Sequence, residues 1–151
     1  MPELKPILFA EDSPSDAELT LEALAENRLA NRVVHVKDGV EALEYLRCEG
    51  KYSQRKTGNP AVAILDIKMP RMDGIEVLRA IRSDPSLKRI PVVMLTSSKE
   101  EHDLIRSYDL GINAYVVKPV NFTDFLEAVK QLGSFWAVLN ELPPNGATQH
   151  D

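Results

Sequence analysis

Apolar side chains along this chain follow two rhythms. Five short runs, at positions 7–10, 33–36, 62–67, 92–95 and 114–117, are rich in branched or aromatic residues and carry few polar ones. Runs of this length and composition read as strands buried on both faces. Between them the apolar residues recur every three or four positions: Ala17, Leu21 and Leu24, then Val40, Leu43 and Leu46, then Ile75, Leu78 and Ile81. That is the period of a helix with one face on a core. Each helical stretch also opens with a side chain able to cap it, followed three residues later by an acid: Ser13/Asp16, Asp38/Glu41, Asp73/Glu76, Ser98/Glu101 and Asn121/Asp124. Strand and helix thus alternate as (βα)5, which predicts an α/β fold with a parallel sheet and helices on both faces. Ser83-Asp84-Pro85 ends the third helix, and Gly111 suits a left-handed cap after the fourth. The stretch 49–60 is a polar, basic loop whose Lys51, Arg55 and Lys56 read as solvated, and 141–151 reads as a flexible tail behind a domain spanning 1–140.

Composition narrows the classes of function. With 151 residues and 44% hydrophobic content the chain has material for one core. A net charge of −5 without any cluster of Lys and Arg excludes a surface built to coat nucleic acid. The single cysteine, Cys48, has no partner for an internal disulfide, and no apolar run approaches the roughly 20 residues that cross a bilayer. A cytoplasmic protein without membrane association is the expectation. His35, His102 and His150 are scattered without acid or cysteine partners at ligand spacing and read as structural or solvated.

In an open parallel sheet, ligands bind beyond the carboxyl ends of the strands, so the residues that follow each apolar run carry the chemistry. Here they are Glu11-Asp12 after the first, Asp66 at the end of the third, Thr96-Ser97-Ser98 after the fourth and Lys118-Pro119 after the fifth. Three carboxylates converging on one edge repel one another unless a hard cation joins them. Few protein oxygens and room for water favour Mg2+.

These residues, with Met69-Pro70-Arg71-Met72-Asp73-Gly74 after the third strand, resemble the receiver domains of two-component signalling over about residues 5–132. The resemblance implies a flavodoxin-like strand order, 2-1-3-4-5. It implies Asp66 as phosphoacceptor and Mg2+ bound by Asp12, Asp66, the backbone carbonyl of Lys68 and, through water, Glu11. It further implies Lys118 and Thr96 as phosphoryl contacts, Thr96 and Tyr115 as a switch pair, Pro70 and Gly74 as turn residues, and a cis peptide before Pro119. Tyr45-Leu46-Arg47, the segment 83–91, the Thr96-Ser97-Ser98 ending and Phe135-Trp136 are similar to the single-domain regulators that serve bacterial phytochromes. That implies a sensor histidine kinase of the phytochrome type as partner, output through a further protein, and a homodimer. Phe135, Trp136 and Leu139 continue the apolar stripe of an extended last helix past the domain edge and are the candidate interface. The domain catalyses nothing beyond its own phosphorylation and dephosphorylation. Two rivals share parts of the pattern. A haloacid-dehalogenase-type phosphatase needs a second acid at position 68, which is lysine, and a flavodoxin-like electron carrier needs hydroxyls where Glu11 and Asp12 stand.

Overall fold

The computed structural model describes residues 5–25, 32–55, 58–98, 101, 114–121, 123, 124 and 127. Five strands, β1 (Ile7–Ala10), β2 (Val33–Val36), β3 (Val62–Asp66), β4 (Val92–Thr96) and β5 (Ala114–Val117), form one sheet in the order β2-β1-β3-β4-β5. Every pairing is parallel. Helices α1 (Pro14–Ala25), α2 (Gly39–Arg47) and α3 (Gly74–Ser83) connect them, with a short 3-10 turn at Gly50–Tyr52. Most of the expected fourth and fifth helices, Gly111, the tail and the interface residues Phe135, Trp136 and Leu139 lie outside the described residues.

Strand side chains alternate between two cores, which is why the runs are apolar throughout. Leu8, Ala10, Ala63, Leu65, Val92 and Met94 pack with Leu43, Leu46, Val77, Leu78 and Ile81 of α2 and α3. Ile7, Phe9, Ile64, Val93 and Leu95 pack on the opposite face with Ala17 and Leu24 of α1. The sheet is thus covered on both sides, as the pattern predicts.

All five predicted caps are made. The backbone N–H of Asp16, Glu41, Glu76, Glu101 and Asp124 donates to the side chain of Ser13, Asp38, Asp73, Ser98 and Asn121, respectively. Among the described residues, only at α3 does the acid accept from the cap residue's backbone N–H and complete a capping box; Asp124 accepts instead from the Asn121 side chain.

Two expectations need correction. In α3 the fully buried positions are Val77, Leu78 and Ile81, while Ile75 is only half-buried. The reason is Gly74: a Cβ there would collide with the carbonyl oxygen of Asp66, so the helix rests glycine-first on the end of β3 and turns Val77 inward. The loop after α2 is not simply solvated. Lys51 Nζ and Tyr52 OH both reach Oε2 of the buried Glu41 at 2.7 Å. The Arg55 guanidinium lies 4.1 Å above the Tyr45 ring and donates through Nε to the Tyr45 carbonyl. Although burial pushes the Glu41 carboxyl up, bonds from Lys51, the Lys37 N–H and Tyr52 hold it down at about 2. Lys51 of the loop therefore neutralises an acid that α2 carries into the interior, while Arg55 covers Tyr45.

Gly39 makes a second close approach. A Cβ there would strike the Met72 carbonyl, so the start of α2 sits directly on the β3–α3 loop. Arg71 locks the same contact from outside, bonding both carboxylate oxygens of Asp38 at 2.9–3.1 Å. It does so from a left-handed backbone, with φ of 66°. The strained residue of this turn is thus Arg71; Gly74 serves as a close-packing residue. Gly74→Ala is expected to cost about 1–3 kcal/mol through overpacking, read as a lower urea midpoint. An unchanged midpoint would mean that α3 slides freely on β3.

Candidate functional site

Because all strands point the same way, the polar residues that end them gather at one edge. Strand β1 stops at Ala10 and α1 begins at Pro14, so the intervening Glu11 and Asp12 stay at the strand end. The Glu11 side chain is 1% exposed, and its Oε2 accepts from the Ser13 N–H at 3.1 Å. One carboxylate oxygen from each of Glu11, Asp12 and Asp66 lies within 4.8 Å of the others. Asp66 and Thr96 are the last residues of β3 and β4, both buried. The Thr96 hydroxyl has no hydrogen-bond partner among the described residues.

Lys118 follows β5. Its N–H donates to the Thr96 carbonyl at 2.8 Å, and the peptide to Pro119 is cis. With its stem anchored, the ammonium reaches Glu11 Oε1 at 3.2 Å, Asp16 Oδ2 at 3.1 Å and Asp66 Oδ1 at 3.2 Å. An ammonium has three protons to donate, and each carboxylate can take one. Burial pulls the Lys118 pKa down, but the bond to Asp16 and the charges of Asp66 and Glu11 raise it well above the usual lysine value. Burial, reinforced by the negative charge of Glu11, raises Asp66 from 3.8 to about 7 despite Lys118.

Of the sequence candidates, Glu11, Asp12, Asp66 and Lys118 are brought together, with Thr96 next to them on β4. Tyr115 lies two residues before Val117, the register partner of Thr96, and packs half-buried against the core on the α2–α3 side. Lys68 is exposed, and its Nζ pairs with Glu101 Oε2 at 3.1 Å. Glu101 in turn accepts from the Ser97 N–H at 2.7 Å, which links the loops that follow β3 and β4.

Asp16 was not singled out for the site. It looked like the far half of a cap, yet its carboxylate turns to Lys118 and leaves the Ser13 N–H to Glu11. The available signal was the short connection: with three residues between β1 and α1, an acid in the first helical turn remains beside the strand ends.

Comparison with known proteins agrees with this geometry. The sequence profile of the response regulator receiver domain matches residues 7–130. The chain belongs to that family, whose members accept a phosphoryl group on an aspartate. Response regulator Rcp1 of Synechocystis sp. is 39% identical over 139 residues, covering 92% of this chain and 93% of Rcp1. The bacteriophytochrome response regulator AtBRR is 58% identical over 93% of this chain and all of its own, with a TM-score of 0.87. The cyanobacterial phytochrome response regulator RcpA, solved phosphorylated, is 44% identical over 89% of this chain and 94% of its own, with a TM-score of 0.70. This chain is therefore a response regulator, similar over most of its length to regulators named for phytochromes, and neither the phosphatase nor the electron-carrier reading stands. Receiver domains hold a divalent metal in such an acidic pocket, and Rcp1 has been solved in a Mn2+-bound form. No described helix is long and apolar enough to cross a membrane.

The raised Asp66 pKa has a direct consequence for the metal-free protein. A carboxyl whose folded pKa lies above its unfolded value destabilises the fold progressively as pH rises from about 4, and the penalty levels off above about 7. Asp66→Asn in EDTA should therefore be more stable than the native chain by on the order of 1 kcal/mol or more at pH 8. The gap should narrow on acidification to pH 4, measured by urea denaturation at each pH.

Proposed function

We propose that Asp66 is the phosphoacceptor of this regulator and that a histidine kinase of the phytochrome-sensor type donates the phosphoryl group. The observation that carries this reading is the shared ammonium: Asp66 alone among the clustered acids both ends a buried strand and contacts Lys118 beside a threonine hydroxyl with no partner among the described residues. The acid cluster fits Mg2+, since oxygen donors from Glu11, Asp12 and Asp66 converge and Lys118 supplies too little charge to balance them with Asp16. Asp12, Asp66 and the Lys68 backbone carbonyl would hold the ion, Glu11 through water. When bound, it supplies positive charge that keeps Asp66 ionised and offsets charge on the phosphoryl oxygens.

In the reaction, an Asp66 oxygen forms a bond to phosphorus as the bond to the kinase histidine breaks, and the imidazole leaves with the electron pair. Phosphorylation turns the Asp66 carboxylate into an acyl phosphate and moves the negative charge onto the phosphoryl oxygens. One proton of the Lys118 ammonium is then free for a phosphoryl oxygen, while Glu11 and Asp16 retain the other two. Thr96 Oγ1 donates to another phosphoryl oxygen, and Tyr115, which sits on the neighbouring strand, responds to that shift. The change is passed to a downstream protein in the cytoplasm and to a homodimer built on Phe135, Trp136 and Leu139.

Incubation with acetyl phosphate and Mg2+ should add one phosphoryl group at Asp66 by mass spectrometry. Asp66→Asn should abolish the label, and Lys118→Ala should slow its formation by about tenfold or more, as expected for a lost charge-assisted bond. Stable label on another residue would overturn the assignment. For assembly, sedimentation equilibrium at tens of micromolar should show a dimer that Trp136→Ala weakens; a monomer with and without phosphorylation removes it.

A further inference from the structure

His35 stands in the middle of β2, an edge strand, yet its ring is turned toward the site. The Glu11 N–H donates to the Val36 carbonyl at 3.0 Å, which continues the β1–β2 ladder one step beyond the strand. In a parallel ladder the next bond would run to the Glu11 carbonyl from the N–H two residues further along, at Asp38. The chain turns into α2 there instead, with the Lys37 N–H taken by Glu41 Oε1 and Asp38 serving as helix cap. The Glu11 carbonyl is left without a ladder donor, and the His35 side chain supplies one: Nε2 lies 2.8 Å from that oxygen. A carbonyl only accepts, so Nε2 carries the proton in this bond. The imidazole is held in place by stacking on Phe9, with centroids 5.3 Å apart and planes at 28°.

The peptide so gripped is the one joining Glu11 to Asp12, two of the three clustered acids. A rotation of that peptide would swing both carboxylates away from Asp66. We infer that His35 is a positioning residue of the metal pocket, its Nε2–H fixing the Glu11–Asp12 peptide so that both carboxylates face Asp66. This rests on the reading that Glu11, Asp12 and Asp66 hold the ion. Partners one bond removed from metal ligands orient them, and their loss typically weakens metal binding by about 10–100-fold.

The test separates the donor from the ring. His35→Phe keeps an aromatic on Phe9 and removes the proton; His35→Gln keeps a donor and removes the ring. Titration of the full chain with Mg2+ by calorimetry should show His35→Phe binding about tenfold more weakly and His35→Gln within about twofold of native. Melting of the metal-free His35→Phe protein should stay close to native, since the stack survives. In acetyl phosphate labelling, His35→Phe should need more Mg2+ for half-maximal rate and reach the native rate at saturation. Native affinity in His35→Phe, or equal weakening in both variants, would overturn the inference. Should His35→Phe fail to fold, His35→Gln decides alone, and a loss of tenfold or more there overturns it. Asp12→Asn serves as reference: undiminished Mg2+ binding in that variant would instead strike the reading of the pocket itself.

Discussion

One ammonium holds this site together. Lys118 Nζ faces Glu11, Asp16 and Asp66 at 3.1–3.2 Å, in a place where burial makes uncompensated carboxylates expensive. The parallel sheet creates the difficulty by ending every strand on the same edge, and it also supplies the remedy, because β5 delivers the lysine there. The compensation is incomplete. Asp12 adds a further carboxylate to the cluster, and Asp66 remains far from the normal carboxylate range. A site left short of positive charge is one that a divalent cation can complete, and stability is given up for that capacity.

The scaffold around the cluster leaves little slack. Three central strands are buried along their whole length. On the β3 side, two glycines let helices rest directly on backbone carbonyls, Gly74 on Asp66 and Gly39 on Met72. On the β1 side, His35 and Val36 grip the two peptides that flank Glu11, at its carbonyl and its N–H. Geometry at the acids is therefore set by main-chain contacts more than by the side chains that carry the charges.

The strands, the caps and the residues ending the strands were legible in the sequence because each depends on neighbours along the chain. A continuous apolar run declares a strand buried on both faces, a 3.6-residue period declares the buried face of a helix, and a cap needs a partner only three residues away. What escaped depends on distant segments. The face that α3 buries follows from where Gly74 lands on β3, so Val77 joins Leu78 and Ile81 at its centre and Ile75 packs at its margin. Asp16 looked complete as a helix acid, although its partner lies 102 residues away. His35 looked merely structural, since nothing in a single sequence tells that the chain leaves the ladder before the Glu11 carbonyl finds a donor. Arg55 read as solvated because its aromatic partner, Tyr45, belongs to the preceding helix. Phe135, Trp136 and Leu139, legible as an apolar stripe, lie beyond the described residues.

The contact between α2 and the loop after β3 gives the molecule a stiff side. With Gly39 against the Met72 carbonyl and Arg71 clasping Asp38 by both oxygens, that flank behaves as a single block. Across the sheet, β3 and β4 are joined past Asp66 by the bond from the Ile67 N–H to the Leu95 carbonyl and by the Lys68–Glu101 pair, while the Thr96 hydroxyl has no partner among the described residues. Tightness around Asp66 is thus uneven, with side chains clamped on the α2 flank and an uncommitted hydroxyl on the β4 flank.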